Sequence, residues 1–144
     1  MSPKKKQPSL KRIRQQLIGT WKLISAKDRA SPTDPWVDGT FGIPPSGYFI
    51  YTATRASIQI MTTPPVQLTV PDTPTPAEAL KIFNGYIAYY GKYKVDAANI
   101  HHLVEGAWDP SQVGTDQVRP YELKGDKLII GNQTTYVRVL KRIK

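Results

Sequence analysis

With 144 residues and no cysteine, the chain has room for about one domain around one small ligand, and disulfide frameworks, zinc–thiolate centres and thiol catalysis are excluded. Its formal charge of +9 would suggest a nucleic-acid partner, but six bases precede residue 15 and three close the chain. Residues 15–140 hold 11 bases and 11 acids, so the body is neutral and nucleic-acid binding is not expected.

The start MSPKKKQPSLKRIR lacks the apolar stretch of a secretory peptide, and no apolar run approaches the roughly 18 residues of a membrane span. A soluble, cytoplasmic protein with no membrane partner is expected. Residues 1–8 read as a disordered basic tail and residues 9–144 as a single domain. Ser9 caps a short helix over LKRIRQQLI, which Gly19 breaks. GTWKLISAKD then alternates Trp21, Leu23 and Ser25 against Thr20, Lys22 and Ile24, the period of a strand. The segment ASPTDPWVDGTFGIPPSG is rich in Pro, Gly and Asp and forms a long loop able to cover a pocket, with WVDGTF as a short added strand.

GYFIYTA and ASIQIM read as a hairpin turning near Thr54 and Arg55. The proline-rich TTPPVQLTVPDTPTP ends in a helix start, with Thr75 as N-cap, Pro76 first and Glu78 third. A helix over residues 76–87 follows, its stripe formed by Leu80, Phe83 and Ile87. Strands then recur: AYYGKYKVD, NIHHLVEGAW, TDQVRPYEL, KLIIG and TTYVRVLKRI, joined by turn residues such as Asp96, Asn99, Gly114, Gly125 and Gly131. About eight strands with one or two short helices and no βαβ rhythm predict an all-β, antiparallel barrel, since closure removes sheet edges and encloses an interior.

Gly19-Thr20-Trp21 on the first strand, with Arg138 on the last, resembles the lipocalin and calycin signature in which a tryptophan packs under an arginine at the closed end. LIGTWKLISA, PSGYFIYT, YIAYYGKYKVD, HHLVEGAWDPSQVGTDQVR and LKGDKLII are similar, in order, to blocks of the bacterial and fungal lipocalin-like domain family. The resemblance implies a calycin-type barrel from about residue 17 to 139. It implies a small hydrophobic ligand, and His102 as the recurring histidine. The chain departs from that pattern at Ala107, where relatives carry serine, at Ser111-Gln112, and at Tyr136, where they carry tryptophan.

His101 and His102 are the only histidines, and Glu105 follows them. Successive strand residues face opposite ways, so the two imidazoles cannot chelate one ion, and no metal is expected. Ile100, His102, Val104, Gly106 and Trp108 form the more apolar set and are expected inside, with His101 and Glu105 outside unless a bulge at Gly106 intervenes. An interior histidine is either a hydrogen-bonded core residue or a proton-transfer group. Lys92 and Lys94 belong in water, which turns Tyr89 and Tyr93 inward. Arg119 either clamps an anion or carbonyl in the pocket or pairs with a surface acid, and Gln117 shares its face.

No Walker loop, dinucleotide fingerprint or nucleophile elbow is present, so no cofactor is expected. Resemblance and chemistry together predict a cofactor-independent isomerase, cyclase or dehydratase acting on a polyketide- or terpenoid-like secondary metabolite. The expected catalytic set is His102, Tyr93 and Arg119, with Tyr51, Tyr89, Gln117, Trp108 and Trp36 against the ligand. The alternative is a carrier without turnover; a homodimer is compatible with either.

Overall fold

The computed structural model describes residues 9–143. Eight antiparallel strands close into a barrel: β1 (Gly19–Asp28), β3 (Ser46–Tyr51), β4 (Arg55–Met61), β5 (Tyr86–Val95), β6 (Asn99–Ala107), β7 (Asp116–Lys124), β8 (Lys127–Ile130) and β9 (Tyr136–Ile143). Each pairs with the next, and β9 returns to β1. Of the WVDGTF segment, only β2 (Val37–Asp38) is extended, and it borders the end of β1. The expected basic tail, residues 1–8, lies outside the described residues.

One end, here called lower, is closed by α1 (Leu10–Leu17), whose Ser9 cap accepts from the Arg12 amide and whose Leu17 is buried. Trp21 lies beneath it, wholly buried, and its indole N–H donates 2.8 Å to the Leu17 carbonyl. The arginine over this indole is Arg142, at 4.3 Å, and not Arg138 as the signature suggested. The β1–β9 register sets Trp21 opposite Arg142 and Ala26 opposite Arg138, about one strand half-length away. Arg142 also donates to the Ile18 and Gln16 carbonyls, which ties α1 to the last strand. Gly19 is required there: its φ is +143°, and a Cβ would come within 2.7 Å of the Arg142 guanidinium.

Two bulges reset strand parity. In β1 the register shifts between Leu23 and Ser25, so Ala26 takes the buried face in place of Ser25. In β6 it shifts opposite Tyr90 and Gly91, with Glu105 as the extra residue. The expected face of Ile100, His102 and Val104 is buried, but beyond the bulge Ala107 stands opposite Tyr89 and Trp108 leaves the interior.

The upper end carries α2 (Pro76–Gly85), held by its capping box: Thr75 Oγ1 accepts from the Glu78 amide and the Glu78 carboxylate accepts from the Thr75 amide. The helix ends at Gly85, two residues short of expectation, and Ile87 belongs to β5. No α2 residue is buried; Leu80 and Phe83 are 61% and 41% exposed, so the predicted stripe does not enter the core.

Candidate functional site

The lower half of the interior is filled by Trp21, Leu23, Tyr51, Leu128 and Leu140. Above them lies a cavity of about 440 Å³, within the range of small-molecule sites. Its apolar walls are Phe49 on β3, Ile58 and Ile60 on β4, Ile87 on β5 and Ile130 on β8, each brought inward by strand alternation. Its polar side chains are Asp28 and Arg29 at the end of β1, Tyr89 on β5, Arg119 on β7, and Thr135, Tyr136 and Arg138 where β9 begins.

Tyr89 is the cavity's link to a buried polar chain. Its hydroxyl lies 2.7 Å from His102 Nδ1, while the Tyr51 hydroxyl lies 2.8 Å from Nε2. Three strands meet in these two bonds: β3 gives Tyr51, β6 His102 and β5 Tyr89. Burial drives the His102 pKa down to about 3, with the nearby Arg119 charge acting in the same direction, so the imidazole is neutral. Burial likewise pushes Tyr89 up to about 12, against the pull of the adjacent Arg119 guanidinium, and raises Tyr51 well above an ordinary phenol. All three groups are therefore neutral at physiological pH.

A neutral imidazole has one N–H, so one tyrosine donates to His102 and the other accepts from it. Tyr51 settles which. Among the described residues its hydroxyl has no partner but His102, and it is 1% exposed, so accepting from Nε2 would strand its own proton at a cost of about 1–3 kcal/mol. Tyr51 donates to Nε2, Nδ1–H donates to the Tyr89 oxygen, and the Tyr89 proton is left for the cavity. The Arg119 guanidinium beside Tyr89 only donates, and leaves that proton equally free.

Arg119 is held by its own strand. Its Nη2 donates 2.9 Å to Gln117 Oε1, whose amide nitrogen donates 2.7 Å to Thr115 Oγ1, and its Nη1 donates to the Val118 carbonyl. Gln117, opposite His102 in the β6–β7 register, thus reaches the cavity through Arg119. Arg138 pairs with Asp28 at 2.9 Å, and the second Asp28 oxygen is buried without a partner among the described residues. Arg29 donates to the Thr134 and Asp34 carbonyls and stacks 4.1 Å over Trp36.

Of the expected site residues only Tyr89 and Arg119 line the cavity. His102 and Gln117 stand behind them, Tyr51 belongs to the lower filling behind His102 and not to the ligand wall, and three stand further off. Tyr93 is buried, but its hydroxyl donates 2.6 Å to the Thr52 carbonyl and its ring lies under Arg14 at 4.0 Å, so it seals the lower end. Trp108 is outside because of the bulge; it donates 3.0 Å to the Phe83 carbonyl and supports α2. Trp36 lies in the β1–β3 loop, under Arg29 and apart from the cavity wall. The aliphatic walls, Asp28 and Arg29 were not singled out in the sequence, and Arg138 and Tyr136 were marked there only as parts of the family pattern, not as cavity residues. Strand alternation carried a signal for Phe49, Ile58 and Ile60, whereas the others sit where a loop meets the barrel and no periodicity marks them.

His101 faces outward. Its Nδ1 lies 2.9 Å from Asp116 and its Nε2 2.8 Å from Asp96. The two carboxylates are on opposite edges of the ring and cannot converge with it on one ion. Among the described residues no cluster of His, Cys, Asp or Glu is arranged to hold a metal, and no helix is long and apolar enough to cross a membrane.

The lipocalin-like domain model matches residues 18–141. No curated protein matches the chain. Among solved structures, an uncharacterized protein from Bacteroides eggerthii DSM 20697 aligns over 88% of this chain and 99% of its own, at 12% identity and a TM-score of 0.48. Wild-type fluorescent protein UnaG aligns over 90% and 98%, at 14% identity and a TM-score of 0.37.

Proposed function

The chain belongs to the lipocalin-like domain family, a barrel suited to holding small molecules, and on that footing we propose that it binds a compact, largely apolar metabolite of polyketide or terpenoid type in the upper cavity. The observation that carries this reading is the contrast within one barrel. The lower half is filled by fully buried side chains, whereas the upper half leaves about 440 Å³ between apolar walls and a few convergent polar groups. The neutral probe N-phenyl-1-naphthylamine should bind with a fluorescence rise. Ile87→Trp, at a half-buried wall position, should weaken it about tenfold, or 1.4 kcal/mol, with an unchanged unfolding temperature. A probe that ignores this substitution, or does not bind, would sink the reading.

A second reading adds turnover, and the Tyr51–His102–Tyr89 chain favours it. His102 is separated from the cavity by Tyr89, so the group that meets substrate is the Tyr89 hydroxyl, with His102 behind it as a positioning residue. Because burial disfavours a charge on any of the three, the relay suits reactions that return each proton they take. Isomerisation and cyclisation fit that demand without a cofactor. Tyr89→Phe should then slow the chemical step about 100-fold or more, while equal rates would remove Tyr89 from the chemistry.

A further inference from the structure

We infer that the ligand is an organic acid, seated with its anionic oxygens between Arg119 and the Tyr89 hydroxyl and its apolar skeleton against the isoleucine walls. The inference rests on the binding reading above and deepens it. Around the cavity there are three guanidiniums and one carboxylate among the described residues, and that carboxylate, Asp28, is engaged by Arg138. Arg29 is turned to backbone carbonyls and the face of Trp36. Arg119 is the remaining cation, and the partners of its Nη atoms are a carbonyl and a side-chain amide, neither of which neutralises it. A guanidinium offers five N–H donors, so donors are left over.

The second observation is independent of charge. The direction of the Tyr51–His102–Tyr89 chain, fixed by the sealed Tyr51 hydroxyl, leaves the Tyr89 proton without an acceptor among the described residues. Tyr89 is buried and lines the cavity, so this donor faces the cavity. A charged donor and a neutral donor thus converge beside one another with no acceptor between them. An incoming ammonium would meet both unfavourably, and a purely hydrocarbon ligand would leave the Tyr89 proton without an acceptor and the Arg119 charge uncompensated. A carboxylate, or the oxyanion of an acidic enol, accepts from both and cancels the Arg119 charge in a site of low dielectric. The Gln117–Thr115 buttress holds the guanidinium in place before the ligand arrives.

The test compares 2-naphthoate with 2-naphthamide, which share a ring system and differ in charge, as competitors of N-phenyl-1-naphthylamine. A hydrogen bond between ionised partners is stronger than one to a neutral amide, so naphthoate should compete about tenfold or more better, and the ratio should shrink as salt rises. Arg119→Gln should bring the two competitors level, and Arg119→Lys should keep part of the preference, which separates loss of charge from damage to the fold. Should Arg119→Gln fail to fold, the wild-type ratio and its salt dependence still decide. Equal competition in the wild type overturns the acid inference while leaving the binding reading in place. A probe that never binds overturns both.

Discussion

The two ends of the barrel use the same residue type for different ends. At the lower end arginines serve as lids: Arg14 donates to the Ala53 and Tyr93 carbonyls while lying over the Tyr93 ring, and Arg142 does the same for Ile18, Gln16 and Trp21. Beneath them the aromatic side chains fill the interior. At the upper end Arg138 is paired with Asp28, Arg119 lies against a cavity without a carboxylate partner among the described residues, and the walls, Phe49 and four isoleucines, leave that cavity between them. Large side chains packed under guanidiniums contribute stability, and small ones under a guanidinium leave a site.

Substitutions at the two ends should therefore separate. The largest expected loss is from Trp21→Ala, which empties a wholly buried indole, severs its bond to Leu17 and leaves Arg142 without its ring. Denaturant unfolding should register about 3–5 kcal/mol. A variant as stable as the wild type would remove the lower end from its place as the barrel's main anchor.

Next in size is the response to acid of the buried chain that joins the two ends. His102 is neutral in the fold and titrates near its ordinary value of 6.5 when unfolded, with the folded value down at about 3. The unfolded chain thus binds the proton first, and stability present above pH 6.5 is lost as pH falls from there toward 3. His102→Gln keeps a side chain that can donate and accept but cannot titrate, and should flatten that stretch of the stability–pH curve. Smaller again is Tyr51→Phe, which leaves Nε2 without its donor at about 1–3 kcal/mol and frees the imidazole tautomer that orients the Tyr89 proton.

Much of this molecule was legible in the order of its residues. The strand runs, the Ser9 and Thr75 caps and the inward set of Tyr89, Tyr93 and His102 follow from local periodicity and capping chemistry, and all are in the described structure. What failed to show is nonlocal. Glu105 bulges because Gly91 and Gly106 let strands approach closely: a Cβ on Gly91 would come within 1.9 Å of the Leu103 carbonyl, and one on Gly106 would strike the Tyr90 ring. Neither contact is written in the spacing of β6, yet it moves Trp108 from inside to outside. The choice between Arg138 and Arg142 likewise depended on the register with which β9 meets β1, across more than a hundred residues. The apolar pattern of α2 described a helix correctly but not the core, because Phe83 tilts against Trp108, with ring centroids 5.9 Å apart, and Leu80 is exposed. At the lower end the buried tryptophan was legible and its arginine was not; the cavity depends still more on how loops and distant strands come together.

The smallest expected effect lies on the other side of β6 and has the opposite sign. His101 bridges Asp96 of the β5–β6 turn and Asp116 at the start of β7, and these carboxylates raise its pKa above the ordinary value. Its imidazolium in turn, with the Ala98 and Asn99 amides, holds Asp96 down at about 2. A base whose folded pKa is raised contributes stability that is fully present below the unfolded value of about 6.5 and is lost as pH rises through the folded one. Exposed partners and solvent screening keep the contribution small. His101→Asn should therefore lower the Tm by a few degrees at pH 5.5 and leave it unchanged at pH 9, with no effect on N-phenyl-1-naphthylamine binding at either. The difference should fade again only in stronger acid, as pH falls toward the Asp96 value of about 2. His102→Gln should show the reverse order, losing little when acid and most near neutrality. Two adjacent residues with opposite pH responses would follow from strand alternation alone, since one face of β6 looks onto water and two carboxylates and the other onto two phenols. Parallel responses from the two variants would mean that both imidazoles share one environment, and that the barrel does not separate them.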